Sequence, residues 1–363
     1  MPLGIDIGDC KTMMEDYESS MSPPLVSVII PVFNAAEYIR RSVASVFNQT
    51  YPNMQVVLVE DCSSDNSVNV CAALAKDNSR IIYIRHSENK GQTITRNDGL
   101  ANATGDWVMF LDADDVLEKD AVRDMLDGVE DDTDIIFANY RTTQGSEVNE
   151  YAANIKEGVY NTKQFVNHLF DDIPASVLTC IGSKIYRKDF LDHRKRYTSD
   201  LIKTNYDMAF IIDALIACNK IKYINKVVYN YIQREDSITY SYRKDMYKRI
   251  SEARARIPEL LDVCECYESK IMQFQEMQLQ LIVATLNQEI KFNKGYRSFK
   301  LCVASVAETS EFSDIQEVML KTDKSIKSRL YVFAVKKECC TILYAYHMIK
   351  TLYRKIRERV SAS

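Results

Sequence analysis

Three carboxylates follow one short apolar run in this chain: WVMFLDADDVL, residues 107–117, carries Asp112, Asp114 and Asp115. Two acids two residues apart at a bend can both approach one divalent cation. Hard oxygen ligands of this kind suit Mg²⁺ or Mn²⁺, ions that bridge a protein to phosphates. The same acids also suit the start of a helix over residues 116–126, where a side-chain oxygen caps free N–H groups. A D-x-D is common enough to decide nothing alone. Both readings hold together if Asp115 caps or supports the shell while Asp112 and Asp114 face a ligand.

The elements around the motif decide where it points. Residues 107–111 read as a strand buried on both faces, and three similar runs precede it: VSVII (26–30), QVVLVED (55–61) and RIIYIRH (80–86). Between them, residues 36–49, the stretch after Ser63-Ser64, and residues 93–103 carry helical spacing. Another strand is expected at DIIFANY, 134–140. Alternating strands and helices imply an α/β domain with a mostly parallel, Rossmann-like sheet, whose ligands bind outside the carboxyl ends of the strands. Three of those ends are chemically rich: Pro31-Val32-Phe33-Asn34, Glu60-Asp61, and Asp112 to Asp115.

Composition narrows the class. The chain has 363 residues and a net charge of −5, which gives no reason to expect nucleic-acid binding. Ten cysteines include no C-x-x-C, and the four histidines lie far apart, so neither a zinc site nor a redox motif is indicated. With no secretory signal at the N-terminus, the thiols are expected to be reduced and the location cytoplasmic. No apolar stretch reaches the roughly 18–20 residues of a spanning helix.

Read onward, the stretches PLVSVIIPVFNAAEYIRRSVASVFNQTYPNMQVVLVEDCSSDNS and ENKGQTITRNDGLANATGDWVMFLDADD closely resemble family 2 glycosyltransferases, near-continuously over residues 24–120. The resemblance implies a GT-A fold, an inverting transfer from a nucleotide-diphosphate sugar, and dependence on Mn²⁺ or Mg²⁺. It implies that Pro31, Val32 and Phe33 line the base and ribose, and that Asp61 accepts the uracil N–H. Lys90, Gly91 and Arg96 would lie near the diphosphate, although Arg96 and Asn97 also suit an internal brace between helix and sheet. Asp112 would contact ribose or metal, and Asp114 would ligate the metal. Cys62 stands where the family commonly has glycine, so that turn must avoid positive φ or tolerate strain.

Weaker matches follow. IGSKIYRKDFL (181–191) resembles a family block in which Ile181 or Gly182 replaces an aromatic, with Lys184 either a ligand contact or a plain surface charge. NYDMAF (205–210) falls where relatives carry an acidic pair, so Asp207 would be the catalytic base with Tyr206 replacing the usual Glu. VVYNYIQREDSIT (227–239) resembles a closing block that would bring Arg234 and Ser237 over the diphosphate.

The implied partners are a nucleotide-sugar donor, with UDP as the nucleotide, and a hydroxyl of a glycan or lipid-linked oligosaccharide in cell-surface polysaccharide assembly. A nucleotidyltransferase would need a Gly-rich, basic loop after the first strand, and an NAD enzyme would need G-x-G-x-x-G there; neither is present. The alternative from another class is a non-catalytic sugar-nucleotide-binding or assembly subunit, which loss of Asp114 or Asp207 would favour; both are present. Three segments are expected: a loose arm over 1–23, a GT-A domain over 24–240, and a helical region over 241–363.

The last segment has a charge of its own. Residues 321–363 hold seven lysines and four arginines against three acids, a charge of +8, and leave −13 for the remainder. Leu330, Phe333, Ile342, Leu343, Tyr346, Ile349, Leu352, Tyr353 and Ile356 recur there at near-helical spacing. A basic amphipathic helix would lie on an anionic membrane surface, here the cytoplasmic face, or pack on the protein or in a homodimer.

Overall fold

In the computed structural model, the described residues are 22–192, 206–234, 242, 246–292, 294–309, 312–313, 315, 332–337 and 339–349. Most of the N-terminal arm, Asn205, Ser237, Leu330, Leu352, Tyr353 and Ile356 lie outside them.

Ten strands form one sheet: β1 (Val26–Val32), β2 (Met54–Glu60), β3 (Ile81–Arg85), β4 (Trp107–Phe110), β5 (Val116–Leu117), β6 (Ile135–Gln144), β7 (Glu147–Tyr151), β8 (Gly158–Asn161), β9 (Lys184–Arg187) and β10 (Lys220–Ile232). Their order is β3-β2-β1-β4-β9-β6-β10-β5, with β7 on β6 and β8 on β10. The first four are all parallel, and the antiparallel β9 lies between β4 and β6. Two reversals restore the direction, so β6 and β10 run the same way as β4. Six strands therefore share one sense, in keeping with the mostly parallel α/β sheet that the alternation predicts.

Continuous apolar runs make this possible. Every residue of β4 is buried, and β1 is buried along its length except at Pro31. A sheet covered on both faces demands such runs. Register then decides the chemistry: Val32 pairs with Glu60, and Glu60 with Arg85, while Leu111 N–H donates to the Ile29 carbonyl. The residues just beyond these ends, 33–34, 61–62, 86 and 112–115, consequently meet along one edge.

The helix expected over 116–126 is shorter. Val116 and Leu117 instead form β5, paired with Asn230 and Tyr229 of β10, and the helix begins at Ala121 and ends at Leu126. The reason is long-range: backbone pairing to β10 outcompetes the local helical pattern.

From Met246 onward the described residues are helical, with helices at Met246–Arg254, Ile257–Val263, Tyr267–Lys291 and Gly295–Ala307. One core runs from Val26 to Phe274, and a smaller one gathers Ile282, Leu286, Phe299 and Val303 with Val332, Val335 and Leu343. Residues 332–336 and 340–349 are helical and turn Val335 and Leu343 inward, while Phe333, Ile342, Tyr346 and Ile349 stay exposed.

Candidate active site

The acidic turn is fastened from three sides. Asp115 N–H donates to the Asp112 carbonyl at 3.0 Å, and buried Ser42 donates to the Ala113 and Asp115 carbonyls at 2.7 and 2.6 Å. Arg41 donates to the Asp114 carbonyl at 2.7 Å. Asp115 does not cap the following helix. Its carboxylate is buried and accepts from Tyr229 Oη at 2.5 Å and Ile232 N–H at 2.8 Å, which ties the turn to β10 and so supports the shell. Burial, then the charges of Asp112 and Asp114, push its carboxyl well above the usual carboxylate range.

Gly182 makes room for that tie. A Cβ there would stand 2.1 Å from Tyr229 Cε2, so the tyrosine ring lies flat on a residue that must have no side chain. The contact gives Gly182 a physical reason to lack a side chain.

Asp112 and Asp114 keep 36% and 24% of their side chains open at the strand end. Arg234 donates to Asp114 Oδ2 at 2.6 Å, with its guanidinium 4.2 Å from the Tyr38 ring centroid. Burial and the Asp112 charge raise the Asp114 carboxyl, while Arg234 pulls it back down. Arg96 is fully buried and donates to Asp112 Oδ1 at 2.7 Å and to Asp207 Oδ1. It is turned inward as a brace, its charge spent on two carboxylates. Asp207 opens the helix Tyr206–Ala217, which places it in the first turn opposite the strand end.

Asp207 keeps 39% of its side chain open. Enclosure by protein raises its carboxyl, as does Asp112, against the pull of Arg96 and Lys184. Lys184 is not a surface charge. It is fully buried, donates to the Val177 and Cys180 carbonyls at 2.8 and 2.7 Å, and burial lowers its ammonium to about 8.

At the first two strand ends, Val32 is fully buried, Pro31 is half-buried and Phe33 is exposed. Asp61 is 2% exposed, with both carboxylate oxygens engaged. Oδ1 accepts from Lys90 N–H at 2.8 Å and meets His86 Nδ1 at 2.7 Å, and Oδ2 accepts from Gly91 N–H at 2.9 Å. His86 Nε2 reaches Asp98 at 2.9 Å. His86 thereby bridges the two carboxylates through its two ring nitrogens. Gly91, at φ +84°, lets the chain turn from this clasp into the helix Gln92–Asn102. Cys62 takes φ +58°, so its turn carries the strain that a glycine would have avoided.

Sequence reasoning missed His86, Asp98, Ser42 and Tyr229. His86 was within reach, because it ends the RIIYIRH strand as Asp61 ends its neighbour; the others carry no local signal.

Among the described residues no group of three or more His, Cys, Asp or Glu is gathered so as to hold a metal ion by itself. The donor set nevertheless fits a divalent cation bound jointly with phosphate. Arg96 takes Oδ1 of Asp112 and Arg234 takes Oδ2 of Asp114, which leaves one hard oxygen of each for a cation completed by ligand and water.

Residues 27–194 match the sequence model of Glycosyl transferase family 2. Glycosyltransferase GlyA of Streptococcus pneumoniae serotype 4 is 28% identical over 69% of this chain, which spans only 37% of that relative's length. EpsH of Bacillus subtilis (strain 168) is 26% identical over 91% of this chain and 94% of its own. The fold is that of Staphylococcus aureus TarS 1–349, solved in complex with UDP-GlcNAc: TM-score 0.64 at 19% identity, over 91% of this chain and 92% of that one.

Proposed function

The chain carries a glycosyl transferase family 2 domain over residues 27–194, and from that premise we propose a metal-dependent, inverting transfer of a sugar from a UDP-sugar to a hydroxyl of a glycan or lipid-linked oligosaccharide. One observation carries the reading. Arg96 holds the strand-end acid Asp112 and the helix-start acid Asp207 on a single guanidinium, which sets a candidate base beside the candidate diphosphate site.

In this mechanism Asp207 takes the proton of the acceptor hydroxyl as its oxygen attacks C1 of the donor. The C1–O bond to the diphosphate breaks on the opposite face, so the anomeric configuration inverts. The raised carboxyl of Asp207 makes it a stronger base than a solvated aspartate, and Arg96 keeps it ionised and oriented. Arg234 leaves Asp114 for the departing diphosphate, whose negative charge it neutralises. Mn²⁺ or Mg²⁺ held by Asp112 and Asp114 would supply Lewis-acid stabilisation of that charge. Asp61 holds the Lys90–Gly91 turn, and that turn would bound the nucleotide end.

Calorimetry of UDP with and without Mn²⁺ tests the donor site. Binding that requires the metal and is lost in Asp114→Ala supports it; metal-independent binding of equal strength in that variant counts against it.

The segment 321–363 is read as a peripheral membrane contact on two grounds: its charge of +8, and the exposure of Phe333, Ile342 and Ile349. No helix among the described residues is long and apolar enough to cross a membrane. Flotation with anionic liposomes should require residues 321–363, and flotation unchanged by their removal would end the reading.

A further inference from the structure

A hollow apart from the acidic cleft lies beside the helix that carries Asp207. It is a cavity of about 290 Å³, enclosed by segment 169–178, the helix Tyr206–Ala217, and the helices Ile257–Val263 and Tyr267–Lys291. Asp207 turns toward Arg96, whereas Met208 and Ile212 line the cavity. Successive helix residues point about 100° apart, so one rigid element presents the base to one hollow and an apolar wall to the other.

The lining has two characters. Met208, Ile212 and Ile257 are buried and apolar. Facing them, Gln273, Glu276 and Gln280 recur at i, i+3 and i+7, which puts a row of amides and a carboxylate on one face of their helix. Gln273, a lining residue, has an Oε1 with no hydrogen-bond partner among the described residues, an acceptor that a turn of its side chain would offer to a ligand hydroxyl. Phe170, also in the lining, has φ +73°. A bulky side chain there is an outlier that persists only when its surroundings enforce it. The Phe274 ring packs 6.4 Å from that of Phe170, and the Ile173 N–H bond to the His168 carbonyl at 3.1 Å closes the turn, so an aromatic ring is held in the lining.

Charge and size select the ligand. Among the described residues no lysine, arginine or histidine lines the cavity, while Asp171 and Glu276 do, and Asp171 is already neutralised by Lys270 at 2.5 Å. An anionic ligand such as a phosphodiester has no counter-charge here. The volume is at the small end for ligand pockets, about 300 Å³ upward, which suits one ring-sized unit. Amides for hydroxyls and an aromatic ring for C–H groups together match a pyranose.

We propose that this cavity binds one neutral sugar residue of the acceptor glycan, an unreacted unit that anchors the chain while another unit's hydroxyl reaches Asp207. The proposal rests on the glycosyl-transfer reading above.

The test is saturation-transfer NMR on the full chain with methyl glycosides of glucose, galactose, rhamnose and N-acetylglucosamine. At least one should give a signal that weakens about tenfold in Ala175→Trp, which fills the cavity from its exposed edge, and in Gln273→Ala, which removes a hydrogen bond. Asp207→Asn, outside the cavity, should keep the signal. Circular dichroism matching the wild type in either cavity variant makes that variant a valid reading. No signal from any glycoside, or a signal unchanged in a folded cavity variant, overturns the proposal. A signal lost in the variants of a protein that releases no UDP from any UDP-sugar supports the sugar site and counts against transfer.

Discussion

Arg96 and Asp207, 111 residues apart in the chain, meet as an ion pair whose guanidinium is wholly buried and whose carboxylate remains partly open to the cleft. The asymmetry suits catalysis. The arginine can only position, because every route to solvent is closed, and the aspartate can still receive a proton.

Arg96→Met should therefore act on stability and activity together. It leaves Asp112 and Asp207 without their shared counter-charge. The expected loss is about 3 kcal/mol, the low end for a broken buried pair because both carboxylates are partly solvated. Urea unfolding measures it, and a midpoint equal to the wild type would show that the pair contributes nothing.

The pH dependence of Asp207 should set activity against stability. Its carboxyl is raised in the folded state, mainly by burial, so between the ordinary value of 3.8 and that raised value the native chain holds more protons than the unfolded one. Stability should fall as pH rises through this window, while kcat/KM rises because the base must be ionised. Asp207→Asn should remove this group's share of the stability trend.

Gly182→Ala tests the tie between the acidic turn and β10. The new Cβ would overlap the Tyr229 ring, which must shift and release Asp115. Overpacking of this kind costs about 1–3 kcal/mol. Thermal unfolding should show the loss, and Tyr229→Ala combined with Gly182→Ala should cost less than the sum of the two single variants.

His86→Leu should weaken donor binding without touching the base. The ring joins Asp61, which holds the Lys90–Gly91 turn, to Asp98, so its loss should loosen the turn proposed to bound the nucleotide. About a tenfold rise in donor KM with kcat preserved is expected, the equivalent of one hydrogen bond to a charged group. An unchanged KM would separate His86 from donor binding.

Much of this was legible in the residues. Continuous apolar runs located β1 to β4, and the acids at their ends located the cleft edge, because a two-faced parallel sheet leaves few other readings for such runs. What local pattern could not reveal was destination. Asp115 suited either a helix cap or a support of the shell, and the partners that decide, Tyr229 and Ile232, lie 114 and 117 residues away. Lys184 looked equally suited to a surface, and only the insertion of β9 between β4 and β6 buries it. Arg96 was legible as either a ligand contact or a brace, and the position of Asp207 turned it inward.

The transfer we propose uses Asp207 as its base. UDP release from a panel of UDP-sugars by wild type and by Asp207→Asn, with UDP affinity measured on the same samples, tests it most directly. The wild type should release UDP from at least one donor, and the variant should lose about a hundredfold or more in rate while binding UDP as before. Turnover retained by Asp207→Asn would mean that Asp207 is not the base.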